Sequence, residues 1–81
     1  MTTHRLKIHE QYADAVLNGT KTFKIRKNDR GYKVGDKIVF VVYPRPQHPL
    51  NGATYRIDYI LDDFEGLAQK YVALAISKED E

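Results

Sequence analysis

The sequence predicts an α+β fold: a small β-barrel of about five or six mostly antiparallel strands with one early α-helix. The chain has 81 residues, which is the size of one domain with a single core and a shallow surface site. Short segments that suit strands recur along it, and turn-forming Gly, Pro, Asn and Asp residues separate them. We therefore treat residues 1–81 as a single domain, with residues 77–81 as a frayed acidic tail.

The one predicted helix follows the first strand. Residues 9–18 change to a helical period, with Tyr12, Ala15 and Val16 on one apolar stripe. Asn18-Gly19 then ends the helix, because glycine adopts the left-handed cap conformation at little steric cost.

Residue patterns define the predicted strands. They are residues 3–8, 20–27, 37–43, 53–61 and 70–76. The third is a continuous apolar run, which is typical of a strand buried on both faces. Alternation in the second strand predicts Phe23 and Ile25 towards the core and Lys24 and Arg26 on the solvated face, provided that no bulge shifts the register.

Composition and spacing exclude several classes of protein. The chain has no cysteine, so a disulfide scaffold, a thiolate zinc site and a cysteine nucleophile are excluded. The three histidines, His4, His9 and His48, lack metal-ligand spacing, and we expect neither a metal nor a cofactor. No apolar run is long enough to cross a bilayer, and no apolar signal region follows the N-terminus, so we expect a cytoplasmic protein without a membrane partner.

The formal net charge of +2 conceals a strongly uneven distribution. Residues 20–37 hold seven basic residues against two acidic ones. Residues 58–81 hold seven acidic residues against two basic ones. A concentrated basic segment is typical of a surface that binds anions, although a plain solvated face gives the same pattern.

Candidate ligand-binding residues lie in and beside this basic segment. Lysine and arginine attract phosphate, and exposed aromatic rings stack on unpaired bases. The candidates are Lys21, Lys24, Arg26, Lys27 and Arg30 for phosphate, with Tyr32 and Tyr43 for stacking. The remaining aromatic residues considered are predicted to lie in the core: Tyr55, Tyr59, Phe23, Phe40 and Phe64. Asp62 and Asp63 are predicted to be a solvated or strand-capping pair in a turn.

The run Gly19-Thr-Lys21-Thr-Phe-Lys24-Ile-Arg26, followed by Val34-Gly35-Asp36, resembles the ASCH domain family of the PUA-like superfamily of small β-barrels. The resemblance spans essentially the whole chain and is closest to a branch of short, uncharacterised bacterial and phage proteins. It implies a PUA-like barrel and a cleft that binds RNA or a nucleotide-like ligand. The family pattern is Gly-x-Lys-x-x-Glu-x-Arg, and this chain departs from it with lysine at position 24.

The departure bears on catalysis. Some ASCH proteins are amidohydrolases that deacetylate acetylcytidine, in which the lysine of the pattern activates a threonine three residues later. Lys21 matches that lysine, but Lys24 occupies the threonine position, so the resemblance leans away from an enzyme. We expect an RNA-binding domain, with a small amidohydrolase acting on a modified nucleoside as the alternative. A protein-interaction module of phage or mobile-element origin, binding an acidic partner, is a third possibility.

Overall fold

A computed structural model describes residues 1–62, residue 66 and residues 70–79 of the chain. These residues form one helix and five strands. The elements in chain order are β1 (Thr3–His9), α1 (Glu10–Leu17), β2 (Phe23–Lys27), β3 (Lys37–Tyr43), β4 (Thr54–Leu61) and β5 (Tyr71–Lys78). The predicted Asp63 and Phe64 lie outside the described residues. The helix is too short and too polar to cross a membrane, and the described part of the chain contains no other.

The five strands form one sheet in the order β1-β3-β4-β5-β2, which curls into a half-barrel. β1 and β3 are parallel, and the other neighbours are antiparallel. The small α+β fold with mostly antiparallel strands is thus confirmed. The predicted β-barrel is present only as a half-barrel, because β1 and β2 are the two edges of the described sheet. The guanidinium of Arg30 donates a hydrogen bond to the carbonyl of Arg5 on β1 at 2.8 Å, next to the open edge.

The core fills the concave face of the half-barrel. Its largest fully buried side chains are Phe40, Leu6, Ile8, Ile38, Leu50, Ile57, Leu74 and Val42. Tyr55 adds an edge-on contact to Phe40, with ring centroids 5.3 Å apart. Each of these large apolar side chains contributes about 1.5–3 kcal/mol through burial, so the concave face supplies most of the folding free energy.

Helix α1 covers part of this face, but through a different stripe from the predicted one. Ala13 and Val16 are buried, whereas Tyr12 is 48% exposed, so the prediction for Tyr12 is wrong. The helix packs the side that carries Ala13 and Val16 against β1 and β3, and Tyr12 lies at the edge of that contact. The predicted C-terminal stop is confirmed, since Gly19 has a φ of 87°.

The predicted orientation of β2 is also wrong. Phe23 and Ile25 are 45% and 48% exposed, whereas Lys24 and Arg26 are half-buried. The cause is the pairing of β2 with β5: Lys24 lies opposite Leu74 and Arg26 opposite Val72, and both β5 residues are buried in the core. Directly opposed residues share a face, so the cations point inward.

A β-bulge changes the inward face of β4. Tyr55 and Ile57 face the core, but the register with β5 shifts between Ile57 and Tyr59. Beyond the shift, Ile60 packs on the core and Tyr59 is 60% exposed. The prediction that Tyr59 lies in the core is therefore wrong, because the extra residue Asp58 reverses the alternation.

The last strand extends further than predicted. β5 continues to Lys78, and the backbone N–H of Glu79 donates to the carbonyl of Thr54 at 3.0 Å. The carboxylate of Glu79 also lies 3.8 Å from the ammonium of Lys37. Residues 77–79 are therefore part of the fold rather than a frayed tail.

The prediction that β3 is buried on both faces holds in part, since its inward residues are buried and Val39 and Val41 are half-buried.

A buried polar cluster ties the start of the chain to the start of β3. The carboxylate of Asp36 lies 2.9 Å from Nε2 of His4 and accepts hydrogen bonds from the backbone N–H groups of Thr2 and Lys33. Both residues are buried, and each is 5% exposed. The hydrogen bond with His4, together with these backbone donors, holds the pKa of Asp36 below its usual range despite the opposing effect of burial.

Candidate anion-binding site

Three cationic side chains come together at the edge strand β2, and we call them the β2 cation cluster: Lys21, Lys24 and Arg26. Lys21 precedes the strand, and its backbone N–H donates to the carbonyl of Ala15 in α1. That bond fixes the turn between the helix and the strand. Lys24 and Arg26 then follow on the concave face because of their pairing with β5. The cluster therefore lies where the core meets the open edge of the half-barrel.

Lys24 is the electrostatic centre of the cluster. Its pKa is lowered to about 8, first because burial removes the ammonium group from water and then because Lys21 and Arg26 repel it. Burial also lowers the pKa of Lys21. A lysine in this condition gains free energy when an anion replaces its lost hydration. The cluster is therefore suited to bind a negatively charged group.

Arg26 carries a second sign of an unsatisfied site. Its Nε atom is buried and has no hydrogen-bond partner among the described residues. Leaving a buried donor unpaired costs about 1–3 kcal/mol, and more for a charged group. None of the ion pairs within the described part of the chain includes Lys21, Lys24 or Arg26. The charge of Arg26 is therefore not neutralised by an ion pair with any described residue.

Lys21 is held differently from the other two cations. Its Nζ donates to the carbonyl of Phe23 at 2.6 Å and lies 4.4 Å from the centroid of the Phe23 ring. This position places the ammonium at the outer side of β2, within electrostatic range of Lys24. Lys21 thus extends the positive potential of the cluster around the strand edge.

The other predicted phosphate ligands lie apart from the cluster. Lys27 is exposed on the outer face, opposite Tyr71. The guanidinium of Arg30 donates to the carbonyl of Arg5 on β1, so Arg30 is engaged with the opposite edge strand. Both can add to the surrounding potential, but the structure does not bring them to Lys24.

The two predicted stacking residues have opposite environments. Tyr32 is buried, with 6% exposure, and packs edge-on against His4 with centroids 4.7 Å apart. Its ring belongs to the core and is not available to stack on a base, so that prediction is corrected. Tyr43 is 46% exposed, but it packs against His9 beside α1 rather than against β2.

An open groove at the start of α1 was not predicted from the sequence. It is lined by His9, Glu10, Gln11, Asp14, Arg45, Gln47 and His48. Its charges are already paired: Arg45 lies 2.6 Å from Glu10, and His48 lies 2.7 Å from Asp14. Among the described residues, no group of His, Asp or Glu side chains is arranged to hold a metal ion. The groove therefore lacks the unsatisfied charge that distinguishes the β2 cation cluster.

Replacing Lys24 with methionine is expected to stabilise the protein by about 1 kcal/mol near neutral pH, after allowance for solvent screening of a half-exposed group. The lowered pKa also sets a pH dependence. Between about pH 8 and the ordinary lysine pKa of 10.5, Lys24 is protonated in the unfolded chain but not in the folded protein. The free energy of unfolding of the wild type therefore rises with pH across that interval. Urea unfolding at several pH values measures both effects. A Lys24→Met variant less stable than the wild type, or one that keeps the rise, would contradict this account of Lys24.

The fold and the cluster define this chain as a small α+β half-barrel protein with a cationic edge strand. The chain belongs to the family described as a domain of unknown function, DUF3850, which matches residues 3–76. It is also similar to a protein of Escherichia phage P2 described as "Uncharacterized 12.9 kDa protein in GpA 3'region". The two are 44% identical over 36 residues, which cover 44% of this chain and 33% of the phage protein. The match thus spans about a third of that relative.

Proposed function

We propose that this protein is a cytoplasmic RNA-binding domain of the ASCH and PUA-like type, and that its β2 cation cluster holds RNA phosphate groups. The observation that carries the proposal is Lys24: a half-buried ammonium with a pKa of about 8, flanked by two cations and by no carboxylate of the described residues. Such an arrangement costs stability unless an anion is bound. The basic segment of residues 20–37 and the resemblance to RNA-associated barrels support the same reading.

The amidohydrolase alternative has less support. In that chemistry Lys21 would activate a neighbouring hydroxyl group. Its Nζ instead donates to the backbone carbonyl of Phe23. The hydroxyl of Thr20 is engaged with Asn18 and the carbonyl of Ala15. Within the described residues, the contacts of Lys21 and Thr20 therefore do not form a nucleophile and base pair.

Titration of short RNAs at low and high salt tests the proposal. The Lys24→Met variant should lose about tenfold in affinity, because a hydrogen bond to a charged group contributes about 1.5–3 kcal/mol. The dependence of affinity on salt should also weaken by about one counterion. The matched control is Lys7→Met, which removes the same charge from an exposed position on β1. Absence of RNA binding by the wild type at low salt, or equal losses in the two variants, would overturn the proposal.

A further inference from the structure

The outer surface of the sheet carries large apolar side chains that the core does not use. Phe23 and Ile25 on β2, Tyr59 on β4 and Tyr71 on β5 are between 40% and 60% exposed. We call these four residues the outer aromatic face. Single exposed apolar residues are ordinary, but three rings and an isoleucine on neighbouring strands of one face form a contiguous surface of the kind that marks an interaction site.

The strand register gives this face a defined shape. Phe23 on β2 and Tyr59 on β4 both lie opposite Ala75 of the intervening strand β5. Ile25 and Leu61 likewise both lie opposite Ala73. Two strand spacings of about 4.8 Å separate the flanking residues of each row. The small alanines therefore form the floor of a shallow trough along β5, with larger side chains on both sides.

Cations lie beside the rings. The Nζ of Lys21 is 4.4 Å from the centroid of Phe23, and Lys27 lies opposite Tyr71. Because successive side chains of a strand point to opposite faces, Lys24 and Arg26 are separated from Phe23 and Ile25 only by the thickness of β2. β2 is an edge strand of the described sheet, so a flexible polyanion that lies along this edge is close to the side chains of both of its faces.

These features favour an unpaired nucleic-acid strand as the ligand of the outer aromatic face over an acidic protein segment or a duplex. Planar rings stack on aromatic side chains, and a floor of alanine leaves room for a ring. Nearby lysines suit the phosphates that every nucleotide brings, whereas an acidic protein segment would gain little from three rings. Duplex bases are already stacked and paired, so only an unpaired strand can present them to this face.

We propose that the outer aromatic face stacks the unpaired bases of a single-stranded RNA whose phosphates are held by the β2 cation cluster. This inference rests on the proposed function and adds to it the class of RNA and a second surface. Base stacking on an aromatic side chain changes affinity by about fivefold to a hundredfold per base, which is enough to decide between single-stranded and duplex ligands.

The test compares single-stranded and duplex RNA on a Phe23→Ala/Tyr59→Ala double variant. Single-strand affinity should fall about tenfold or more, while the salt dependence of binding stays that of the wild type. Duplex affinity should not change. Tyr12→Ala is the matched control, because Tyr12 is equally exposed but lies on α1. The conservative pair Phe23→Tyr/Tyr59→Phe keeps both rings and should bind as the wild type does.

A second measurement does not depend on how well the alanine variant folds. The chain has no tryptophan, so Phe23→Trp places a single indole on the outer aromatic face. Single-stranded RNA should quench its fluorescence, and duplex RNA should not. In the Lys24→Met background the same quenching should require a higher RNA concentration.

The possible results separate the two proposals. Single-strand affinity unchanged in the double-alanine variant, with no indole quenching, would overturn the stacking surface and leave the cation cluster intact. Absence of any RNA binding by the wild type at low salt would overturn both. Sedimentation that shows a dimer of the wild type and a monomer of the double variant would assign this face to self-association and overturn the stacking proposal.

Discussion

Replacing Asp36 with alanine is expected to lower the free energy of unfolding by about 3 kcal/mol, the largest stability effect of any substitution considered in this protein. The substitution removes the partner of the buried His4 ring and the acceptor for the N–H groups of Thr2 and Lys33. The His4 ring would then lose its hydrogen-bond partner inside the protein, where it is only 5% exposed. Urea unfolding followed by far-ultraviolet circular dichroism measures the loss.

Two further variants test the cause. Asp29→Ala removes the same charge from an exposed turn and should change stability by less than about 0.5 kcal/mol. Asp36→Asn should flatten the acid limb of the stability profile, because the lowered pKa of Asp36 supplies stability that is lost as pH falls through that pKa. A loss in Asp36→Ala no greater than that in Asp29→Ala would show that the buried cluster is not stabilising.

Replacing Lys24 with glutamate is expected to reduce RNA affinity about a hundredfold, the largest functional effect among these variants. The change removes one phosphate contact and places a carboxylate that repels the next phosphate. It also restores the acid of the Gly-x-Lys-x-x-Glu-x-Arg pattern. The new carboxylate would lie within electrostatic range of Lys21 and Arg26, so the free energy of unfolding should rise as binding falls. Parallel RNA titration and urea unfolding measure the two changes.

Lys24→Arg is the control for this exchange. Arginine keeps its charge above pH 8, so RNA binding by this variant should persist to higher pH than binding by the wild type. The wild type should lose affinity as pH rises through about 8. At that pH Lys24 of the unliganded protein loses its proton, and with it the positive charge that attracts an anion. If Lys24→Glu both binds RNA normally and lowers stability, the ligand does not contact Lys24.

The sequence predicts the elements of the fold more securely than their orientation. The helix end at Asn18-Gly19 follows from local chemistry, because glycine alone adopts the cap conformation without strain. The alternation of apolar and polar residues likewise predicts the strands. Alternation alone does not decide which face of β2 points inward. Phe23 and Ile25 lie on one face and Lys24 and Arg26 on the other, and the long aliphatic stems of Lys and Arg can also be buried. The partner strand β5, far along the chain, decides between them.

The candidate site shows the same limit. Charge counting identifies the basic segment and Lys21, Lys24 and Arg26 as cations, but it cannot tell that the last two face the concave side. Nor can it tell that Arg30 bonds the carbonyl of Arg5 or that Tyr32 packs on His4. The sequence of β4 gives no sign of the bulge at Asp58, because its apolar and polar residues alternate regularly through that position. The bulge places Tyr59 at the surface instead of in the predicted core. Each of these outcomes depends on contacts between distant segments.

The strand order has a consequence for how the protein is made. Both edge strands pair with partners that come much later in the chain: Thr3 with Lys37, and Phe23 with Ala75. Closing such long loops is slow compared with local pairing, so β2 must wait for β5 before it can join the sheet. Lys24, Arg26 and Lys27 therefore remain on an unpaired segment until β5 is available for pairing. The β2 cation cluster is therefore among the last features of the described fold to form.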